Sequence, residues 1–452
     1  MLANNLQFHP SGAFVVSDKI VNQQQFFADI AAFKAKLHTL KSPCHVVLFH
    51  PDTYQFAVRL FALACAGHNV ILPPNGQPET LRLLLAQTPV FAGDTADLDT
   101  QSAITNLEQQ ASCAPTPLTQ LQWPTNTAVI FYTSGSSGQS KPIVKPWRVL
   151  NRELSVLSMA FDLQGQFTFL ATVSHQHIYG LLFRLLWPLA KGHIIDSTQI
   201  QYPEHIVQKL KKTQQAVLVS SPAQLGRLCL DNVLIPERAR IKWLFSSGGP
   251  LNNQHAETLF NQLARPVTQV FGSTETGGIA YRQVTQAAVE VPWQPFSGNY
   301  LSINQEGRLI LDSYILEQSG FALDDRAHVH SNGQFNLLGR IDRTIKIEEK
   351  RLNLDDLENY LISHTWVKEA KVVVLPAKRV QIGAVVVLTD DGNSERLKQG
   401  KLIINRTLQN YLSNRFERIC LPRKWRYIDA LPFNSQAKLS IKILEQSFAK
   451  SE

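Results

Sequence analysis

The sequence predicts an α/β fold with βαβ-rich, mostly parallel sheets, a small β-rich part, and a small α+β domain at the end. Three observations predict it. Short apolar runs alternate with helix-like segments over the first two-thirds of the chain. Glycine- and serine-rich loops follow several of those runs. The pattern then changes after about residue 300. Alternating strands and helices are the signature of crossover units, which place successive strands side by side and parallel.

Residues 45–49 (HVVLF) form a short apolar run bounded by polar residues, as a buried strand does. Residues 54–66 read as a helix, stopped by Gly67. A second strand is expected at 70–72, ended by Pro73-Pro74. Further strands are expected at 128–132, 217–220, 243–245 and 267–271. Ligands of open parallel sheets bind at the carboxyl ends of the strands, where the Gly/Ser loops fall here. Residues 301–304 and 308–311 read as a hairpin with a Glu-Gly turn. Beyond Asp342 the order is a helix near 355–362, strands near 371–375 and 384–388, and a helix near 402–416. The boundary is therefore placed at Asp342, giving domains 1–341 and 342–452.

Composition narrows the class. A chain of 452 residues with 44% hydrophobic and 18% charged content can bury large cores and is not disordered. Five scattered cysteines without a CxxC pair argue against a zinc site or disulfide framework, and fit a reducing, cytoplasmic setting. Residues 179–190 are the most apolar stretch. They contain Arg184 and Pro188 and are too few to span a bilayer. The net charge of +8 has no long basic run behind it, so nucleic acid is not an expected partner. The densest basic spot, Lys209-Leu-Lys-Lys212, reads as a solvated helix end.

The strongest local signal is Tyr132-Thr-Ser-Gly-Ser-Ser-Gly-Gln-Ser-Lys141. Here a strand empties into a loop carrying Gly135 and Gly138. Glycines let the backbone approach a polyanion, and successive N–H groups can form an anion-binding hollow. Thr133, Ser134, Ser136 and Ser137 add hydroxyls, and Lys141 adds a cation. The spacing is not that of a Walker A loop, because only two residues separate the glycines and Pro142 follows the lysine.

This segment resembles the phosphate loop of the acyl-adenylate-forming superfamily, which includes acyl-CoA synthetases, peptide-synthetase adenylation domains and luciferases. Further motifs follow in the family's order. His177-Ile-Tyr-Gly180 resembles the pocket motif of aryl- and acyl-CoA ligases. Ser247-Gly248-Gly249-Pro250-Leu251 resembles the adenine-binding segment. Phe271-Gly272-Ser273-Thr274-Glu275 resembles the aromatic-Gly-x-Thr-Glu motif. Asp325 stands where a ribose-binding aspartate is expected, with the adjacent Asp324 as the alternative. Gly339-Arg340-Ile-Asp342 with Lys346 resembles the hinge motif, and Leu431 through Lys438 resembles the C-terminal lysine motif.

The resemblance implies that ATP and a small carboxylic acid react to give an acyl-AMP and pyrophosphate. Both reactants are anionic, so cations and oriented donors must offset their repulsion. It implies that residues 133–141 hold the β- and γ-phosphates and that Thr274 bonds near the α-phosphate. Glu275 would hold Mg²⁺, Asp325 and Arg340 the ribose, and Lys438 the carboxylate and α-phosphate. Asp342 would be the hinge of a mobile C-terminal domain, whose rotation admits a pantetheine thiol of a carrier protein or of CoA. His175 has no motif support and is expected to be structural.

Two departures stand out. Glu349 occupies a glycine position of the family's hinge segment, and Ala437 replaces the glycine before the lysine. The run Lys346–Leu352 looks like an AMP-ligase subgroup found with carrier-protein pathways, including aryl-polyene synthesis. An acidic acyl carrier protein is therefore the expected acceptor, since the basic balance favours that encounter. The pocket motif points to an aromatic acid such as a hydroxybenzoate or hydroxycinnamate. The alternatives are a medium-chain fatty acid, a luciferase-like oxidative step, and a non-catalytic AMP-binding homologue.

Overall fold

The computed structural model describes residues 12–94, 104–134, 140–341, 343–347, 350–375, 381–433, 439 and 441–449. The chain divides into two compact units. One comprises Met1–Asn299 with Ser313–Glu317, and the other Tyr300–Asp312 with Gln318–Glu452.

Two sheets organise the first unit. A six-stranded sheet among the described residues runs in the order Thr105–Asn106, Val90–Gly93, His45–Phe49, Asn69–Leu72, Ala128–Ser134, Ser140–Pro146. All its neighbours are parallel except the last pair, which is antiparallel. A nine-stranded sheet has Val267–Ser273, Ile241–Ser246, Ala216–Ser220, Thr168–Ala171, Ile194–Gln199 and Ala13–Val16 as its parallel middle. Antiparallel strands close both of its sides. The strands His45–Phe49, Asn69–Leu72 and Ala216–Ser220 are mostly Val, Ile, Leu and Phe, as strands covered on both faces must be.

The helix Thr53–Cys65 starts where the Asp52 side chain accepts from the Gln55 N–H at 2.9 Å. Phe56, Leu60, Phe61 and Leu63 are fully buried in it. They share one core with Val46 and Val70 of the first sheet and Phe169, Val217 and Phe245 of the second. Trp147 and Leu150 of the helix Trp147–Ala160 complete this layer. A separate core of Leu218, Leu225, Leu244 and Leu259 lies on the other face of the larger sheet, under helices Pro222–Asp231 and Asn253–Leu263.

The apolar segment with the buried arginine forms a π-helical stretch, Leu181–Leu186, continued by Trp187–Lys191. Arg184 is fully buried and donates to the carbonyls of Val173 at 2.9 Å and Ser197 at 3.0 Å. Burial pushes its guanidinium pKa down to about 10. Among the described residues, no helix is long and apolar enough to cross a membrane.

Among the described residues the second unit holds nearly all of a four-stranded sheet, Asn299–Ile303, Arg308–Ser313, Phe321–Val329 and Phe335–Arg340, in which the last three strands pair antiparallel. A two-stranded ribbon, Thr344–Ile347 and Lys350–Asn353, follows. A three-stranded sheet of Val367–Leu375, Gln381–Leu388 and Lys424–Tyr427 packs with helices Leu354–Ile362 and Lys401–Ser413 around Leu357, Val372, Val386, Ile404 and Leu408.

The short basic cluster sits at the exposed end of the helix Pro203–Lys211, and two of its lysines are ion-paired. Lys209 lies 2.9 Å from Asp196, and Lys212 lies 2.7 Å from Asp18.

Candidate active site

In the first unit the site residues stand at the carboxyl ends of parallel strands, where the chain must turn and backbone N–H groups are left over. Thr133 and Ser134 end the strand Ala128–Ser134, and Ser140 opens its antiparallel partner. Gly135, Ser136, Ser137 and Gly138 lie outside the described residues. Lys141 is exposed and pairs in register with Thr133, so it stands beside the mouth of that loop.

Next, the strand Ile241–Ser246 runs into Ser247-Gly248-Gly249-Pro250. The Ser247 hydroxyl donates to the Val270 carbonyl at 2.9 Å, tying the segment to the neighbouring strand. Gly248 has φ +87°, and a Cβ placed there would meet no protein atom within 4 Å. Backbone conformation is what calls for glycine there, and the space above it is left open, as a planar ligand lying on the backbone needs.

The strand Val267–Ser273 turns back into Gly277–Gln283, and Thr274 and Glu275 form the tip. A small ring of bonds holds that turn. Ser273 N–H donates to Thr276 Oγ1 at 3.1 Å, Thr276 N–H donates to Ser273 Oγ at 3.2 Å, and the Thr276 hydroxyl donates to the Gly277 carbonyl at 3.0 Å. Gly272 is required by close approach, since a Cβ there would come within 2.1 Å of the Gly277 carbonyl oxygen. The Phe271 ring leans on Trp293 at 5.6 Å between centroids.

Glu275 is exposed at the tip. Among the described residues its carboxylate has no hydrogen-bond or ion-pair partner, so its oxygens are available to a ligand. A single unengaged carboxylate suits Mg²⁺, which keeps most of its ligands as water and phosphate oxygens. No three His, Cys, Asp or Glu side chains cluster as a metal cage among the described residues.

Behind the turn, two residues that the sequence motifs do not single out meet it. Lys145 Nζ donates to the Glu275 carbonyl at 3.0 Å and lies 3.5 Å from Glu153 Oε1. The side chains are 4% and 2% exposed. Burial raises the Glu153 carboxyl pKa, and the Lys145 charge opposes that rise. No periodicity marks this pair, because one member ends a strand and the other sits in the following helix.

His177 is the residue before the short helix Ile178–Gly180. Gly180 packs so tightly that a Cβ would fall 2.0 Å from the Ser174 carbonyl oxygen. Tyr179 tilts against Phe183 at 5.0 Å, and Phe183 meets Phe245 at 5.2 Å, so these rings belong to the buried core. Close by in sequence, His175 is buried. Its Nδ1 faces Thr53 Oγ1 at 3.0 Å, its Nε2 faces the His50 carbonyl at 2.9 Å, and its ring lies 4.2 Å from Phe56. These contacts give His175 a structural place.

In the second unit, Asp325 and Arg340 are directly opposite on adjacent strands. Asp324 carries the exposed ion pairs, at 3.5 Å from Arg308 and 3.7 Å from Arg340. Lys346 belongs to the strand Thr344–Ile347. Asp342, Glu349, Ala437 and Lys438 lie outside the described residues.

The family model described as AMP-binding enzyme matches residues 24–308. The chain is 25% identical over 365 residues to a 4-chlorobenzoate–CoA ligase of Arthrobacter sp, covering 73% of this chain and 68% of that one. It is 24% identical over 466 residues to a D-alanine–D-alanyl carrier protein ligase of Staphylococcus aureus (strain Newman), covering 93% of this chain and 92% of that one. ATP-bound MatB from Rhodopseudomonas palustris superposes with a TM-score of 0.83 at 15% identity, covering 99% of each chain, which shows a shared fold. The chain belongs to the AMP-binding enzyme family, within the acyl-adenylate-forming superfamily, and its relatives by sequence are AMP-forming acid–thiol ligases.

Proposed function

We infer that this enzyme activates a small aromatic carboxylic acid as its acyl-AMP, releasing pyrophosphate, and passes the acyl group to a pantetheine thiol. The observation that carries the reading is the clasped turn at Ser273–Thr276, which presents Thr274 and a Glu275 carboxylate without a partner among the described residues, at the end of a largely parallel sheet. Mg²⁺ held by Glu275 would neutralise the phosphate oxygens as charge shifts to the leaving pyrophosphate.

The chain's own residues do the rest in this reading. The 133–141 loop, with Lys141, holds the β- and γ-phosphates, and the Thr274 hydroxyl bonds near the α-phosphate. The Ser247–Pro250 segment takes the adenine, Phe271 flanks it, and Asp325 with Arg340 takes the ribose. Lys438 of the C-terminal domain, 342–452, offsets the repulsion between carboxylate and α-phosphate, and rotation about Asp342 exchanges it for the thiol. Lys346 belongs to the same hinge segment.

The pocket motif His177–Gly180 supports an aromatic acid, as does the likeness to a 4-chlorobenzoate ligase. The likeness to a carrier-protein ligase over nearly the whole chain supports a carrier protein as acceptor. A cytoplasmic setting, and a role such as aryl-polyene synthesis, go with that acceptor.

ATP–pyrophosphate exchange across a panel of aromatic, medium-chain and amino acids tests the reading. Exchange with an aromatic acid is expected. Exchange with a medium-chain acid alone moves the substrate class, and no exchange with any acid overturns the ligase assignment. Lys438→Ala is expected to lower exchange about 10²–10³-fold, the usual effect of removing one group that stabilises developing charge, with ATP binding retained. Unchanged exchange in that variant removes the lysine from the mechanism.

A further inference from the structure

We propose that Lys145 and Glu153 are positioning residues that aim the Glu275 carboxylate, so that the phosphate-loop hairpin and the metal-holding turn act as one piece. The proposal rests on the reading of Glu275 as the Mg²⁺ ligand.

Lys145 lies on the strand Ser140–Pro146, four residues after Lys141 on the same strand. Alternation along a strand puts residues i and i+4 on one face. Lys141 is exposed near the loop mouth, whereas Lys145 is buried at 3% exposure and reaches the Glu275 carbonyl. That bond fixes the peptide plane after Glu275. The Ser273–Thr276 ring fixes the backbone on either side of the tip. With both constraints in place, the Cα–Cβ direction of Glu275 is set by buried groups and not by its own exposed side chain.

Glu153 performs two tasks. Its carboxylate offsets the Lys145 charge, which could not otherwise be buried. It also fills the space next to Gly277, where a Cβ would come within 2.4 Å of the carboxyl group. Gly277 has φ +73°, so the turn can close onto Glu153 only with glycine there. The turn is thus gripped on its carbonyl by Lys145 and on its inner surface by Glu153.

The alternative is that the pair merely packs and stabilises. A substitution of Lys145 alone leaves Glu153 as a buried charge, which confounds the two roles. The decisive variant is Lys145→Met/Glu153→Met, which removes both charges and keeps the bulk. Two Mg²⁺ titrations are read on it. One follows ATP binding by calorimetry without any acid, and the other follows pyrophosphate exchange.

The expected result is a melting temperature close to wild type, unchanged ATP binding without Mg²⁺, and Mg²⁺ midpoints raised about 10-fold or more in both titrations. That is the usual scale when a group orienting a metal ligand is lost. Wild-type midpoints in the double variant overturn the proposal. If the wild type exchanges no acid, the ligase reading falls, while the calorimetric Mg²⁺ midpoint still decides whether the pair aims Glu275.

Discussion

Two ion pairs of similar length sit in opposite environments. Lys145 and Glu153 are 3.5 Å apart with side chains 4% and 2% exposed. Arg340 and Asp324 are 3.7 Å apart with side chains 46% and 54% exposed. Water screens the second pair, and its partners can leave each other at little cost. Neither partner of the first can be removed without leaving a desolvated charge behind. The buried pair therefore suits a fixed part, and the exposed pair suits groups that are free to rearrange.

Three measurements break or sharpen this contrast. Lys145→Met is expected to lower unfolding stability by about 3–5 kcal/mol, the cost of orphaning a buried charge; chemical denaturation checks it. A loss below 1 kcal/mol would mean that water reaches Glu153 and that the two pairs are alike.

Acid stability comes second. Burial lowers the pKa of His50, His68, His175 and His364 below 6.5, most of all at His175. The unfolded chain then binds protons that the folded chain refuses. This contribution to stability is complete above pH 6.5 and is lost as pH falls from there toward the folded-state values. Melting temperature should drop on acidification through that window. The slope should flatten in His175→Asn if the variant's Asn keeps the bond to the His50 carbonyl. An unchanged slope would place the titration on other groups.

The smallest effect is expected at the exposed pair. Asp324→Asn should change stability by at most about 1 kcal/mol, read by the same denaturation experiment. A larger loss would show that the exposed network is structural after all.

Much of the fold was legible because apolar runs have a simple meaning. The strand His45–Phe49 lies where its five apolar or aromatic residues place it. The helix Thr53–Cys65 begins one residue earlier than its apolar face suggests, because Asp52 caps it. The strand Val267–Ser273 runs two residues past the expected 267–271, because Phe271 to Ser273 still pair with the returning strand. Ala13–Val16 was not legible as a neighbour of Ile194–Gln199, since nothing local announces a pairing across such a separation.

The site divides in the same way. A motif singles out Thr274 and Glu275 as candidates, and the structure sets them at one tip. No motif singles out Thr276, Lys145 or Glu153, because their contacts with that turn form only after a strand, a helix and a hairpin have come together. The Lys209–Lys212 cluster reads as a solvated helix end, yet Asp18 and Asp196, far away in sequence, neutralise part of it.

Gly180 carries a consequence for how such an enzyme can change over generations. Its backbone leaves no room for even one methyl group against Ser174. Mutational drift is therefore closed at that step of the chain, because any larger residue must first displace the neighbouring main chain at Ser174 and His175. Phe183, just beyond it, is itself packed in the core against Phe245, so this stretch changes only where several side chains move together.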